Sequence, residues 1–231
     1  TGVNWDSRIM NIKGSSGTTA TVLRAYGYVL KQKQIWIESQ GRKGANVVVT
    51  NSSFGVDYAN CESGDYPAWN DIYNEMGQAG ILSAAATINN SVDVDARGDV
   101  PTGCSSPYIV SVTNTTVNGV KYTRAGYGAK SIDLGAPGTD ILSTLPGDRV
   151  GSLTGTSMAT PHVAGAVGFL HSVAPPAFLD LYESNPGEGA LAIKQILLES
   201  VTPQEDLVGA TVSGGRLNLH GASENLIANF Q

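Results

Sequence analysis

Short β-branched or apolar runs alternate along this chain with segments of helical spacing, and that alternation narrows the fold more than any other feature. The runs Ala45–Thr50, Ile81–Ala86 and Tyr108–Thr113 are nearly continuous in apolar or β-branched residues, as suits strands covered on both faces. Between them, Val22, Tyr26, Val29 and Leu30 recur at helical spacing and predict an amphipathic helix over 18–33, capped by Ser16 or Thr18. Pro67 opens a second helix in which Trp69, Ile72, Tyr73 and Met76 share a face, and Gly80 closes it. Strand and helix joined by short connections imply a mainly parallel sheet with right-handed crossovers.

The same reading predicts a strand over Ser7–Ile12 and a type I′ hairpin at Asn118-Gly119. A long helix is expected from Ser157 through His171, another over 189–201, and a last strand turning into a helix between Leu217 and Phe230. With no internal repeat and no low-complexity linker, residues 1–231 read as one domain.

Composition removes several function classes. The formal net charge of −6 argues against a nucleic-acid partner, which needs a clustered basic face. No stretch reaches the roughly 20 apolar residues of a membrane helix. The most apolar run, Val163–Leu170, is broken by Gly165 and Gly168 and belongs in a core. Two cysteines, Cys61 and Cys104, are too few for a disulfide framework; they read either as one bridge or as two thiols. Thr1–Trp5 lacks the basic and apolar regions of a signal peptide.

Gly155-Thr156-Ser157-Met158-Ala159-Thr160-Pro161-His162-Val163-Ala164-Gly165 places one serine among small residues directly before a helical apolar pattern. In the first helical turn the backbone N–H groups are unpaired and the dipole favours negative charge. A serine there either caps the helix or acts as a nucleophile whose oxyanion meets those N–H groups.

This eleven-residue string resembles the serine motif of the subtilase family of serine proteases. Leu134–Gly138 followed by Ile141–Thr144 is similar to the family's approach to the serine, and Asn51–Gly55 to its substrate-binding strand. The resemblance runs from Gly2 to about Ser223 and implies a three-layer, subtilisin-like α/β fold, truncated at its N-terminal side. It implies Ser157 as nucleophile and Asn89 as the side-chain donor of the oxyanion hole, with Asn90 a lesser candidate. Ile88 stands where the family commonly has glycine, which puts one wall of the primary specificity pocket in question. Ser53, Phe54 and Gly55 would pair with an extended peptide, with Ala85, Ala86 and Thr87 lining the pocket opposite. The nucleophile elbow Gly-x-Ser-x-Gly of an unrelated α/β hydrolase does not fit around Ser157. No cofactor is expected for catalysis. Asp133 resembles a position that helps hold a sodium or calcium ion in some subtilases; alone it reads as a solvated loop carboxylate, and no metal ligand is assigned.

The family's catalytic aspartate and histidine motifs do not occur here. His162 follows Ser157 by five residues, about 140° around the same helix; His171 and His220 fall at structural positions. Gly2–Trp5 resembles the point just after the family's histidine helix. The expectation is therefore a serine endopeptidase portion, inactive alone, or a peptide-binding module that keeps the strand and pocket. A peptide or protein is the expected substrate, in an extracellular or periplasmic setting, and a missing N-terminal segment or a second copy would cover the sheet edge left open.

Overall fold

Helix α1 (Thr19–Glu38) begins where Thr18, in extended conformation, accepts a hydrogen bond from the Thr21 N–H at 3.4 Å. It buries Val22, Tyr26, Val29, Leu30 and Lys33 along one stripe. The molecule, seen in a computed structural model, is described for residues 2–14, 18–62 and 66–231; Ser16, the alternative cap, lies outside them. Strand β1 (Val49–Ser52) and the short β2 (Val56–Asp57) follow, then α2 (Pro67–Gln78), with proline in its first turn. Gly80, at φ +88°, turns the chain at once into β3 (Leu82–Ala86), a conformation that glycine adopts without steric cost.

A short helix α3 (Val94–Arg97) and β4 (Asp99–Val100) lead to β5 (Ile109–Thr115) and β6 (Leu134–Pro137). Next come the hairpin β7 (Ile141–Leu145) and β8 (Arg149–Leu153), then helices α4 (Thr156–Ser172), α5 (Pro176–Ser184) and α6 (Pro186–Glu199). Strands β9 (Thr202–Pro203) and β10 (Gly215–Arg216) and helix α7 (Leu219–Asn229) complete the order.

The central sheet runs β1-β3-β5-β6-β10-β9, parallel except for β9 at one edge. Alternate residues Leu82, Ala84, Val110, Val112, Leu134 and Ala136 face one side, where Ala159, Val163, Ala166, Val167 and Leu170 of α4 and Ile193 and Leu197 of α6 cover them. Each large side chain buried there contributes about 1.5–3 kcal/mol. Ala85 and Ile109 face the other side, under α1 and the Trp69, Tyr73 and Met76 face of α2. The result is the three-layer α/β arrangement, with the Val163–Leu170 run in its core.

Two local expectations are overturned. Ser7–Ile12 is not a strand: alternation makes a strand only where a neighbour supplies a ladder, and here Ile9 is 92% exposed. Val3, Asn4 and Ser7 lie against α4, where a Cβ on Gly165 would come 2.6 Å from Val3 and one on Gly168 3.2 Å from Ser7 Oγ, and the chain then reaches Ile12, which packs against the cluster under α1 and α2. The Asn118-Gly119 turn does connect β5 back to Lys121, but it is not type I′. Only Gly119, at φ +84°, is left-handed, and the Thr116 N–H donates to Val120 O at 2.8 Å. A third pattern, the largely exposed β7–β8 hairpin, escaped the sequence reading altogether. Among the described residues, no neighbouring strand covers the outer edge of β1.

Candidate active site

The start of α4 organises the site. Gly155 is its N-cap and carries no side chain to engage the first-turn N–H groups. Thr156, fully buried, donates through its backbone N–H to Asn89 Oδ1 at 2.9 Å and through Oγ1 to Thr87 O at 2.5 Å, with Asn89 Oδ1 also within 3.1 Å of that hydroxyl. Asn89, exposed just beyond β3, is thus held by its carbonyl end, and among the described residues its amide N–H groups make no hydrogen bond. Ser157, half-buried, is the next residue of the first turn, where backbone N–H groups have no partner within the helix.

A proline shapes the opposite wall. Pro161 lies inside α4 and lacks the N–H that would close a helical bond to Ser157 O. The Ser53 hydroxyl, arriving just after β1, donates to that orphaned carbonyl at 2.9 Å, and Ser157 Oγ lies 3.5 Å from Ser53 O. Ser157, Asn89 and Ser53 are therefore drawn together around one helix end. Phe54 points its ring inward, with centroids 6.5 Å from Tyr26 and 6.4 Å from Trp69, so its backbone is the part open to a peptide. Gly55 is exposed, and a Cβ there would collide with the Val100 carbonyl oxygen.

Across from this strand, Ala85, Ala86 and Thr87 are buried. The Ala85 methyl packs into the core beneath α1 and α2, and Thr87 Oγ1 donates to Asp99 Oδ2 at 3.0 Å, so neither offers a free side chain to a ligand. Ile88 does not form a pocket wall: it packs into a small cluster with Val94 and Ile132. Asn90 is a turn residue, accepting from the Ser91 N–H at 3.0 Å and donating to Tyr58 Oη at 3.2 Å. Its amide is spent away from Ser157.

Asp99 was missed by the sequence reading. Beyond Thr87, its Oδ2 accepts from the Ile88 N–H at 2.9 Å and from Thr102 Oγ1 at 2.5 Å, fixing the turn that presents Asn89. Burial pushes this carboxyl up to about 6 despite those three donors. Only the non-local meeting of β4 with the end of β3 discloses it. A disulfide joins Cys61 to Cys104, with Cα atoms 5.1 Å apart, and clamps the β2–β4 platform beside it, where Val56 pairs with Val100 and Asp57 with Asp99. By loop length the bridge contributes about 4 kcal/mol through chain entropy.

None of the three histidines serves Ser157. His162 Nδ1 lies 2.9 Å from Met158 O on its own helix. His171 stacks edge-on against Phe178 and Tyr182, and burial, reinforced by the nearby Lys33 charge, pushes it down to about 3. His220 is exposed and lies 3.5 Å from Glu224. Asp133 is not a solvated loop carboxylate. It is buried, accepts from the Ser111 N–H at 2.8 Å, and pairs with Lys194 at 3.1 Å.

Comparison with known proteins shows the family. The sequence profile of the subtilase family matches residues 1–217. Proteinase R of Parengyodontium album is 34% identical over 167 residues, which cover 71% of this chain and 37% of that protein. Alkaline protease 1 of Aspergillus clavatus is 32% identical over 174 residues, 73% of this chain and 39% of that protein. The chain thus spans well under half the length of these relatives. Among solved structures, a prenylagaramide maturation protease aligns with a TM-score of 0.65 at 22% identity, covering 94% of this chain and 71% of that one. The protease domain of PatA aligns at 0.64 and 22%, covering 90% and 66%. At that identity the two structures speak for the fold.

Proposed function

Because this chain belongs to the subtilase family of serine proteases, we propose that it carries the nucleophile and oxyanion half of an endopeptidase site. The carrying observation is the grip of Thr156 on Asn89 Oδ1, which leaves the amide N–H of Asn89 and the backbone N–H of Ser157 as two donors at one helix start. A peptide lies along Ser53–Gly55 as an added strand. Ser157 Oγ attacks its carbonyl carbon, the carbonyl oxygen becomes an oxyanion between the two donors, and collapse expels the amine and leaves an acyl-serine that water hydrolyses. The hydroxyl proton goes to a histidine oriented by a carboxylate, which passes it to the departing amine; the placement of His162, His171 and His220 away from Ser157 supports a pair supplied by other polypeptide. The open edge of β1 is where such a segment, or a second copy, adds to the sheet. The disulfide suits an oxidising, extracellular or periplasmic setting.

A second reading, a peptide-binding module without chemistry, draws support from the surroundings of the serine: among the described residues, Ser157 Oγ has Ser53 O as its one hydrogen-bond partner, at 3.5 Å. Two measurements on the chain separate the readings: fluorophosphonate labelling mapped by mass spectrometry, and hydrolysis of a casein-derived peptide library. The chain alone is expected to bind extended peptides with no turnover above that of Ser157→Ala. Adding the polypeptide encoded immediately upstream is expected to give labelling at Ser157 and turnover that Asn89→Ala lowers about 100-fold or more. Peptide binding with no labelling in that mixture would leave the module reading standing alone.

A further inference from the structure

The buried carboxylate of Asp133 makes no hydrogen bond to Ser157 or Asn89 and still needs a cation. It sits at the entry to β6, accepts the Ser111 N–H, and is only 7% exposed. An anion so placed raises its own affinity for protons, and burial does push this carboxyl upward, against the pull of Lys194 and the Ser111 N–H. The positive charge is internal. Lys194, on α6, brings its ammonium 3.1 Å from Asp133 Oδ2 and donates to Ile109 O, the first carbonyl of β5, at 2.5 Å.

One carboxylate oxygen and one backbone carbonyl converge here on one positive centre, the donor chemistry that a hard metal cation seeks. The family resemblance allows for such an ion at Asp133, but these residues do not fit one. The ammonium already occupies the shared point, and among the described residues no cluster of three metal-binding side chains gathers anywhere. Calcium takes 6–8 oxygens at about 2.3–2.6 Å, and a primary ammonium at the centre leaves no room for it.

We propose that Lys194 is a tethered cation that takes the place of a bound metal ion at Asp133, making the junction of α6, β5 and β6 independent of dissolved cations. The stem of Lys194 runs along an open groove lined by Pro107, Leu191, Gln195, Leu198 and Glu199. Shortening that stem opens a path from solvent to the carboxylate. The lysine then acts as both plug and counter-ion: it stabilises a buried charge without the entropy cost of capturing a free ion, and cannot be chelated away.

The test is thermal unfolding of the full chain in EDTA and in millimolar calcium chloride, for wild type, Lys194→Ala and the double variant Asp133→Asn/Lys194→Ala. Lys194→Ala is expected to unfold roughly 5–10 °C below wild type in EDTA. It is expected to regain several degrees in calcium, a gain larger than that of wild type and absent from the double variant. Lys194→Met, which keeps the stem and so the plug, should lose stability without the calcium gain; it also stands in for an alanine variant that does not fold. Equal calcium gains in wild type and Lys194→Ala, or a larger one in wild type, would overturn the proposal. So would full stability of both lysine variants in EDTA.

Discussion

Lys33 is a second buried ammonium, and among the described residues it pairs with no carboxylate. It is 1% exposed, with Asn46 Oδ1 at 2.5 Å and Tyr182 Oη at 2.9 Å as its oxygen partners, and it lies 4.7 Å from the Tyr182 ring centroid. Tyr182 in turn donates to Gly80 O at 2.6 Å, and neutral His171 packs on the same ring. Burial pushes the Lys33 ammonium down from 10.5 to about 8. Each unit corresponds to about 1.36 kcal/mol, so holding the proton in the fold costs on the order of 3 kcal/mol. A native pKa below the unfolded one gives a contribution fully present above about 10.5 and lost as pH falls through about 8. The replacement Lys33→Met keeps the stem and removes the charge, at the cost of leaving Asn46 and Tyr182 one donor short. Chemical denaturation at stepped pH is the assay. Wild type should gain stability relative to Lys33→Met between pH 8 and 10, by about 2–3 kcal/mol, with tyrosine ionisations common to both proteins cancelling in the difference. A difference that stays flat across that range would refute the account of Lys33 as an unpaired buried charge.

Asp99 runs the other way. Its native pKa of about 6 lies above the ordinary 3.8, so its contribution is present below that ordinary value and lost as pH rises through 6; Asp99→Asn should flatten the stability profile between pH 4 and 7 as measured by urea unfolding. Ser53→Ala leaves Ser157 O without its donor and should cost about 1–3 kcal/mol by the same assay, whereas Ser53→Thr, which keeps the hydroxyl, should recover most of it.

The elements that local chemistry dictates were legible in the sequence. Thr18, Pro67 and Gly80 punctuate their helices because capping and proline preferences act within a few residues, and Gly155–Gly165 marks the helix start that carries Ser157. What depended on a distant partner was not. The alternation in Ser7–Ile12 matches a strand, yet alternation only permits pairing; with no ladder beside it the segment runs as an irregular stretch, leaving Ile9 exposed and Ile12 packed under α1 and α2. Asp133 looked like a loop carboxylate because the sequence cannot place Lys194, 61 positions on, against it. Asp99 and Lys33 were silent for the same reason. Phe54 reads as one residue of a strand that pairs with a peptide, and nothing in its spacing shows that its ring turns to Tyr26 of α1 and Trp69 of α2.

The arrangement at α4 shows why a glycine cap, weaker by a few tenths of a kcal/mol (~0.3) than a serine or aspartate one, and an internal proline, which costs a helical bond, belong together here. A serine or aspartate at the N-cap would accept from the second or third N–H of the helix, and the second is that of Ser157. Gly155 forgoes that stabilisation and leaves the donor unspent. Its missing side chain also gives Asn89 room, since a Cβ would lie 3.2 Å from Oδ1. At the other end of the same turn, Pro161 frees the Ser157 carbonyl, and Ser53 takes it up. Helix stability is surrendered at both positions, and each loss becomes a bond to a wall of the site: the β3 end through Thr156 and Asn89, the β1 end through Ser53. The serine is thereby fixed between the two strands by its backbone, while its hydroxyl and N–H remain available for chemistry. A better-capped, proline-free helix would be more stable and would hold Ser157 to neither wall.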